Sequence, residues 1–222
     1  MVDYTHILFD LDGTLTDPGL GITNSVMYAL EKFGITVEDR KTLYKFIGPP
    51  LIDSFREFYG FSDADAERAL QFYREYFSET GIFENQVYPG IPELLRRLRD
   101  ADRTLLVATG KPEEFSLRIL EHFDLLQYFT FVSGASMDES RNKKWQVIDR
   151  ALAHCGEPPR AQALMVGDRK HDVEGAQRCG LACLGVLYGY GSPEELVTAG
   201  ADALAGSPAA VGDFILDTDE KT

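Results

Sequence analysis

Residues 7–15 read Ile7-Leu8-Phe9-Asp10-Leu11-Asp12-Gly13-Thr14-Leu15. A short, continuous apolar run ends abruptly in two carboxylates one residue apart, then a glycine and a threonine. An apolar run of that length suits a strand buried on both faces. The acids then stand just past its carboxyl end. Gly13 supplies the backbone freedom for a turn there, and taken alone the segment reads equally well as a turn former.

Further runs of the same kind follow. They are Leu105–Ala108, Phe129–Val132, Ala163–Val166 and Leu181–Leu187. Helical stripes lie between them: Ile91, Leu94, Leu95 and Leu98; Phe115, Ile119, Leu120 and Phe123; Val147, Ile148, Ala151 and Leu152. Strands alternating with helices predict an α/β fold, a Rossmann-like parallel sheet flanked by helices. Between Leu20 and Phe83 the patterns are helical only. Gly48-Pro49-Pro50 opens one candidate helix, Leu51–Tyr59. Ser62-Asp63-Ala64-Asp65 opens another like a capping box, and Ala66, Ala69, Leu70, Tyr73, Tyr76 and Phe77 share a face. Such a stretch exceeds what one crossover requires. The expected organisation is a core of residues 1–17 and 84–222 with a helical insertion, 18–83. The tail, Asp217–Thr222, is expected to fray.

Composition narrows the function. The 222 residues are 44% apolar and 26% charged, with 22 Lys and Arg against 36 Asp and Glu, a net charge of −14. Nucleic-acid binding is disfavoured, because it calls for a basic stripe. Arg96, Arg97 and Arg99, with Arg103 beyond, sit among leucines and read as a solvated helix face. No apolar run approaches the ~20 residues of a membrane span, and the amino terminus lacks the pattern of a secretory signal. Cys155, Cys179 and Cys183 do not form a disulfide framework and suit a reducing compartment. A cytoplasmic location is expected, with a small phosphorylated metabolite as partner and neither nucleic acid nor membrane. Oligomeric state is not legible.

Ligand sites in open α/β folds lie at the carboxyl ends of strands. Asp10 and Asp12 follow the first run. Thr109-Gly110-Lys111-Pro112 follows the second, a loop leading to Lys143-Lys144 the third, and Gly167-Asp168-Arg169-Lys170-His171-Asp172 the fourth. Each segment alone has a plain structural reading: a turn, a loop before a helix, a helix cap, a surface lysine. Together they bring carboxylates, a hydroxyl and an ammonium to one rim. Converging carboxylates repel unless a cation binds, and oxygen-only ligation suits Mg²⁺. A carboxylate can act as nucleophile toward phosphorus, and a second one two residues on can move protons. Thr109, the Gly110 amide and the helix start after Pro112 offer donors to phosphate oxygens. Lys144 adds a fixed positive charge.

Over about residues 4–216 the chain resembles the haloacid dehalogenase superfamily, in particular its phosphoglycolate-phosphatase-like members with a helical cap. Phe9-Asp10-Leu11-Asp12-Gly13-Thr14-Leu15 is similar to the first motif, Thr109-Gly110-Lys111 to the second, and Gly167-Asp168-x-x-x-Asp172 to the fourth. The resemblance implies a Mg²⁺-dependent phosphatase working through a phosphoaspartate. Asp10 would be nucleophile and metal ligand. Asp12 would be the general acid/base, binding metal through its carbonyl. Asp168 would complete the Mg²⁺ site, which Asp172 supports or joins, and Thr109 and Gly110 would hold phosphate. The third motif is a single lysine, assigned to Lys144 with Lys143 as the alternative. An Asn is frequent where Gly110 stands. Dehalogenases of the superfamily lack a carboxylate at the place of Asp12, so its presence implies phosphate chemistry. A phosphonate hydrolase would need a Schiff-base lysine from the insertion, and nothing marks Lys32, Lys41 or Lys45 as desolvated. A sugar phosphomutase, a pyrophosphatase and a non-enzymatic phosphate- or partner-binding module on the same fold stay open. Gly48-Pro49-Pro50-Leu51 is the candidate substrate-reaching turn, or else only a helix start.

Overall fold

The computed structural model describes residues 2–138 and 140–216; the expected fraying of 217–222 lies outside them. The chain forms two compact units, Met1–Leu15 with Val87–Thr222, and Thr16–Gln86.

The first strand, β1 (His6–Phe9), opens the first unit. The chain then runs through β2 (Thr16–Asp17), α1 (Gly19–Glu31), α2 (Leu51–Tyr59), α3 (Asp63–Tyr76) and β3 (Gln86–Val87). It returns to the first unit with α4 (Ile91–Asp100), β4 (Thr104–Pro112), α5 (Glu113–His122), β5 (Phe131–Ala135) and α6 (Lys144–His154). The last elements are β6 (Ala163–Gly167), α7 (Lys170–Arg178), β7 (Ala182–Val186), α8 (Pro193–Ala199), β8 (Ala203–Ala205) and α9 (Pro208–Leu216). A six-stranded sheet has the order β5-β4-β1-β6-β7-β8, and β2 pairs with β3 in a separate two-stranded sheet. Among the described residues the neighbours β5–β4, β4–β1, β1–β6, β6–β7 and β7–β8 all pair in parallel. The fold class is therefore α/β, a parallel sheet flanked by helices.

The apolar runs explain this sheet. Ile7, Leu8 and Phe9, and likewise Leu105 to Ala108 and Ala163 to Val166, are fully buried, as strands covered on both faces require. The stripe residues Ile91, Leu94, Leu95 and Leu98 of α4 are buried, as are Val147, Ile148, Ala151 and Leu152 of α6. Leu8, Leu106, Met165, Val173 and Cys183 belong to one continuous core cluster, and Cys155 and Cys179 pack against it. The three cysteines are free.

Two readings need correction, and one strand had no sequence signal. The third run forms a strand two residues later than expected, at Phe131–Ala135, because a 3-10 turn holds Leu126–Tyr128. The short strand β8 has too few residues to show a period. Arg103 is not on the solvated helix face. It follows α4, is 8% exposed, and pairs with Asp3 at 2.9 Å.

The ordered elements of the second unit are helical apart from β2 and Gln86 of β3. Ser62 caps α3 by accepting from the Asp65 amide, as its sequence implied. Gly60, at φ +66°, ends α2. At Gly21 a β-carbon would lie 1.9 Å from the Gly81 carbonyl oxygen, so glycine is what lets α1 approach the turn Phe77–Gly81.

Candidate active site

The order β4-β1-β6 puts β1 between two parallel strands on which the order reverses, the position at whose carboxyl ends ligands bind in open α/β sheets. Phe9 is in register with both Val107 and Val166. The next residue, Asp10, donates its amide to the Val166 carbonyl at 2.9 Å. Asp10 thus leaves the sheet level with the end of β6 and with the irregularity that begins at Ala108 of β4.

Lys144 is the first residue of α6. Its Nζ lies 2.9 Å from Asp10 Oδ1 and 2.7 Å from Asp172 Oδ1, and donates to the Ala108 carbonyl at 3.2 Å. Burial alone would lower the lysine's pKa, but Asp10 and Asp172 hold it well above its ordinary value. Lys144 is therefore a fixed cation. Lys143 beside it is exposed. The lysine stem runs over Gly175 of α7, where a β-carbon would stand 2.5 Å from Lys144 Cγ. Gly175→Ala is expected to displace the ammonium while the fold survives. A misplacement near 1 Å costs roughly 10²-fold in rate, so kcat should fall by about that factor with thermal unfolding little changed. Unaltered kinetics would show that the lysine tolerates the shift.

Asp168 follows β6 and is fully buried, with its Oδ2 accepting from the Tyr190 amide at 2.7 Å. Asp172 sits one turn into α7, and its Oδ2 accepts from the Arg169 amide at 3.0 Å. Asp10, Asp168 and Asp172 each offer an oxygen, all within 4.8 Å of one another. Burial first, then the neighbouring Asp172 and Asp10, pushes the Asp168 carboxyl far above the usual range. Burial raises Asp172 to about 6 against the pull of Lys144. Asp168 Oδ1 is buried with no hydrogen-bond partner among the described residues. Oxygen-only donors, surplus negative charge and an orphaned buried oxygen fit a hard divalent cation.

Glycines make this crowding possible. A β-carbon on Gly13 (φ +84°) would lie 2.2 Å from Asp168 Oδ2, and one on Gly167 would lie 2.2 Å from Asp172 Cγ. Gly189 and Gly191 press on Asp168 equally closely. The loop Gly189-Tyr190-Gly191, with its amide on Asp168, was missed in the sequence. Its signal was two glycines just past the fifth apolar run.

Asp12 pairs with Lys111, whose Nζ is 2.5 Å from Oδ2. Burial raises the Asp12 carboxyl, while Lys111 pulls it down. Lys111 lay in the second motif but had no role assigned. The segment expected as a loop continues β4 to Pro112, through an irregularity where Ala108 pairs with Ser133 and Pro112 with Ala135. Four steps along β4 thus match two along β5, and the surplus re-aims the side chains. Thr109 is buried with its Oγ1 accepting from the Lys111 amide at 3.2 Å, and Gly110 is exposed with open space around it. Among the described residues, no helix is long and apolar enough to cross a membrane.

Residues 7–186 match the family model of the haloacid dehalogenase-like hydrolases. The chain is 48% identical to a protein of Pseudomonas aeruginosa named 5'-nucleotidase, over 87% of each chain. It is 41% identical to the tyrosine-protein kinase PtkA of Mycobacterium tuberculosis, over 83% of this chain but 62% of that one. Proteins named phosphoglycolate phosphatase stand further off, at 28–30% identity. The crystal structure of a predicted phosphatase from Clostridium acetobutylicum superposes with a TM-score of 0.93 at 48% identity, covering 96% of this chain and 99% of that one. The chain belongs to the haloacid dehalogenase-like hydrolase family.

Proposed function

We propose that the protein hydrolyses small phosphomonoesters with Mg²⁺, through a phosphorylated Asp10. The observation that carries the reading is the placement of Asp10. It is flanked by a fixed ammonium on Lys144 and by a buried carboxylate set that fits a cation, with a second carboxylate two residues on.

Asp10 attacks phosphorus, and the ester oxygen departs with the bonding electrons. Asp12 gives that oxygen a proton, then takes one from the water that cleaves the acyl phosphate. Lys144 holds Asp10 and offsets charge on the phosphoryl oxygens. Thr109 and the Gly110 amide bind those oxygens at the end of β4. Asp10, Asp168 and the Asp12 carbonyl would hold Mg²⁺, with Asp172 supporting them through Lys144. The ion would neutralise phosphate charge and orient the ester for in-line attack. Residues 18–83 form the cap, whose Gly48-Pro49-Pro50-Leu51 turn contributes to substrate choice. The 48% identity to a protein named 5'-nucleotidase favours nucleoside 5'-monophosphates for the first substrate panel.

Activity is expected to vanish in EDTA and to return with Mg²⁺ but poorly with Ca²⁺, whose coordination is larger and looser. Phosphate release from nucleoside monophosphates, phosphoglycolate and sugar phosphates reads this directly. Full turnover in metal-free buffer would overturn it. Interconversion of sugar phosphates without phosphate release would make the enzyme a mutase.

Stability offers a second check that needs no turnover. A carboxyl whose folded pKa is raised favours folding below its unfolded pKa, and that contribution is lost as pH climbs through the folded value. In EDTA, where no cation offsets it, a charge on Asp168 buried beside Asp10 and Asp172 is therefore costly to the fold. Asp168→Asn should raise Tm in EDTA, and Mg²⁺ should raise Tm in the parent but not in the variant. The shifts should be a few degrees, since ~1 kcal/mol moves Tm by roughly 2–4 °C in a chain of this size. A fall in Tm for Asp168→Asn in EDTA would contradict the charge argument.

A further inference from the structure

Lys111 is a buried ammonium whose side chain is 5% exposed. It sits two residues past Thr109, and its Nζ bonds one oxygen of Asp12. The other oxygen, Asp12 Oδ1, is buried and has no hydrogen-bond partner among the described residues. The two oxygens of the acid are thus unequal. The lysine reaches Asp12 because the surplus residues of β4 turn it there, with the backbone pinned by the bond from its amide to Thr109 Oγ1.

We infer that Lys111 is a positioning residue for Asp12: it occupies Oδ2, leaves Oδ1 as the oxygen that exchanges the proton, and so sets how poor a leaving group the enzyme can expel. The inference rests on the phosphoaspartate reading. In the first step Asp12 carries a proton on Oδ1. A new bond forms between an Asp10 oxygen and phosphorus. The bond from phosphorus to the ester oxygen breaks, its electron pair going to that oxygen, which takes the Oδ1 proton. Lys111 keeps its own protons throughout and faces a carboxylate afterwards. A phenolate of low pKa leaves without this proton, whereas an alkoxide does not. A lysine that only held the substrate phosphate would treat both esters alike.

Rapid acid quenching, with intact-protein mass as the readout, measures how fast phosphoryl group appears on the protein. The comparison uses p-nitrophenyl phosphate and a nucleoside 5'-monophosphate, with the parent, Lys111→Met, Asp12→Ala and the double variant. Lys111→Met is expected to slow labelling by the nucleotide by on the order of 10²-fold, and labelling by the aryl ester less than about tenfold. In the Asp12→Ala background the same change should alter the ratio between the two esters by less than about twofold. Equal slowing with both esters would overturn the inference and place Lys111 on the phosphoryl group. The same change of ratio in the Asp12→Ala background would overturn it too. If Lys111→Met unfolds, Lys111→Gln gives the same ratio from a folded chain. Absence of label from either ester in both the parent and Asp12→Ala refutes the phosphoaspartate reading itself, a separate failure.

Discussion

Asp10→Asn should reduce turnover to background and abolish phosphoryl labelling of the protein. The amide is a poor nucleophile, and the change also removes a negative charge from between Lys144 and Asp168. Asp12→Ala should behave differently. With p-nitrophenyl phosphate it should release a burst of nitrophenol and then almost stop, because transfer to Asp10 needs little acid help while hydrolysis of the acyl phosphate still needs a base. The trapped protein should be heavier by about 80 Da, one phosphoryl group on a carboxylate. The acyl phosphate survives longer in acid than in alkali, so acid quenching is the right trap. A burst from Asp10→Asn would remove Asp10 from the nucleophile role. Steady turnover of Asp12→Ala without labelling would point to direct attack by water. No turnover in any variant, the parent included, would leave a binding module.

The second large effect is expected at Lys144. Its Nζ is shared by Asp10 and Asp172. Removing it takes away a charge aimed at the phosphoryl oxygens and leaves two buried carboxylates without their cation. Loss of a comparable preorganised donor costs on the order of 10²–10³ in rate, so Lys144→Ala should lower kcat at least that far. Removing one partner from a buried charge group also destabilises, by about 3–5 kcal/mol in other buried pairs. Thermal unfolding must therefore accompany the kinetics. Mg²⁺ should recover part of the lost stability but not the rate, because the metal offsets carboxylate charge without replacing the ammonium. Lys143→Ala should change neither, since that side chain is exposed. A crippled Lys143→Ala with a healthy Lys144→Ala would exchange the two assignments.

The sheet was legible because its central strands are buried on both faces. Ile7 to Phe9 and Ala163 to Val166 are unbroken apolar runs for that reason, and the first acid past each run, Asp10 and Asp168, marks the rim. The helix stripes were legible for the same cause, one buried face repeating every three or four residues. The limits lay where a residue's neighbour is distant in sequence. Arg103 reads as one more base in an arginine-rich segment, yet it is buried on Asp3, 100 residues away along the chain. The second motif reads as a loop, yet pairing with β5 draws it into the sheet with a register shift.

The candidate site divides along the same line. Local order in the chain was enough to nominate Asp10, Asp12, Thr109, Gly110, Lys144, Asp168 and Asp172, because each stands just past an apolar run or at the start of the next helix. Tertiary structure alone decided which lysine of 143 and 144 reaches Asp10, since the choice turns on the phase of α6 against α7 and on the bare surface of Gly175. It alone paired Lys111 with Asp12 and set the Gly189–Gly191 loop against Asp168. Spacing along a strand determines where a side chain leaves the sheet, whereas its charge partner depends on which distant backbone comes close enough, and that is a property of packing in three dimensions.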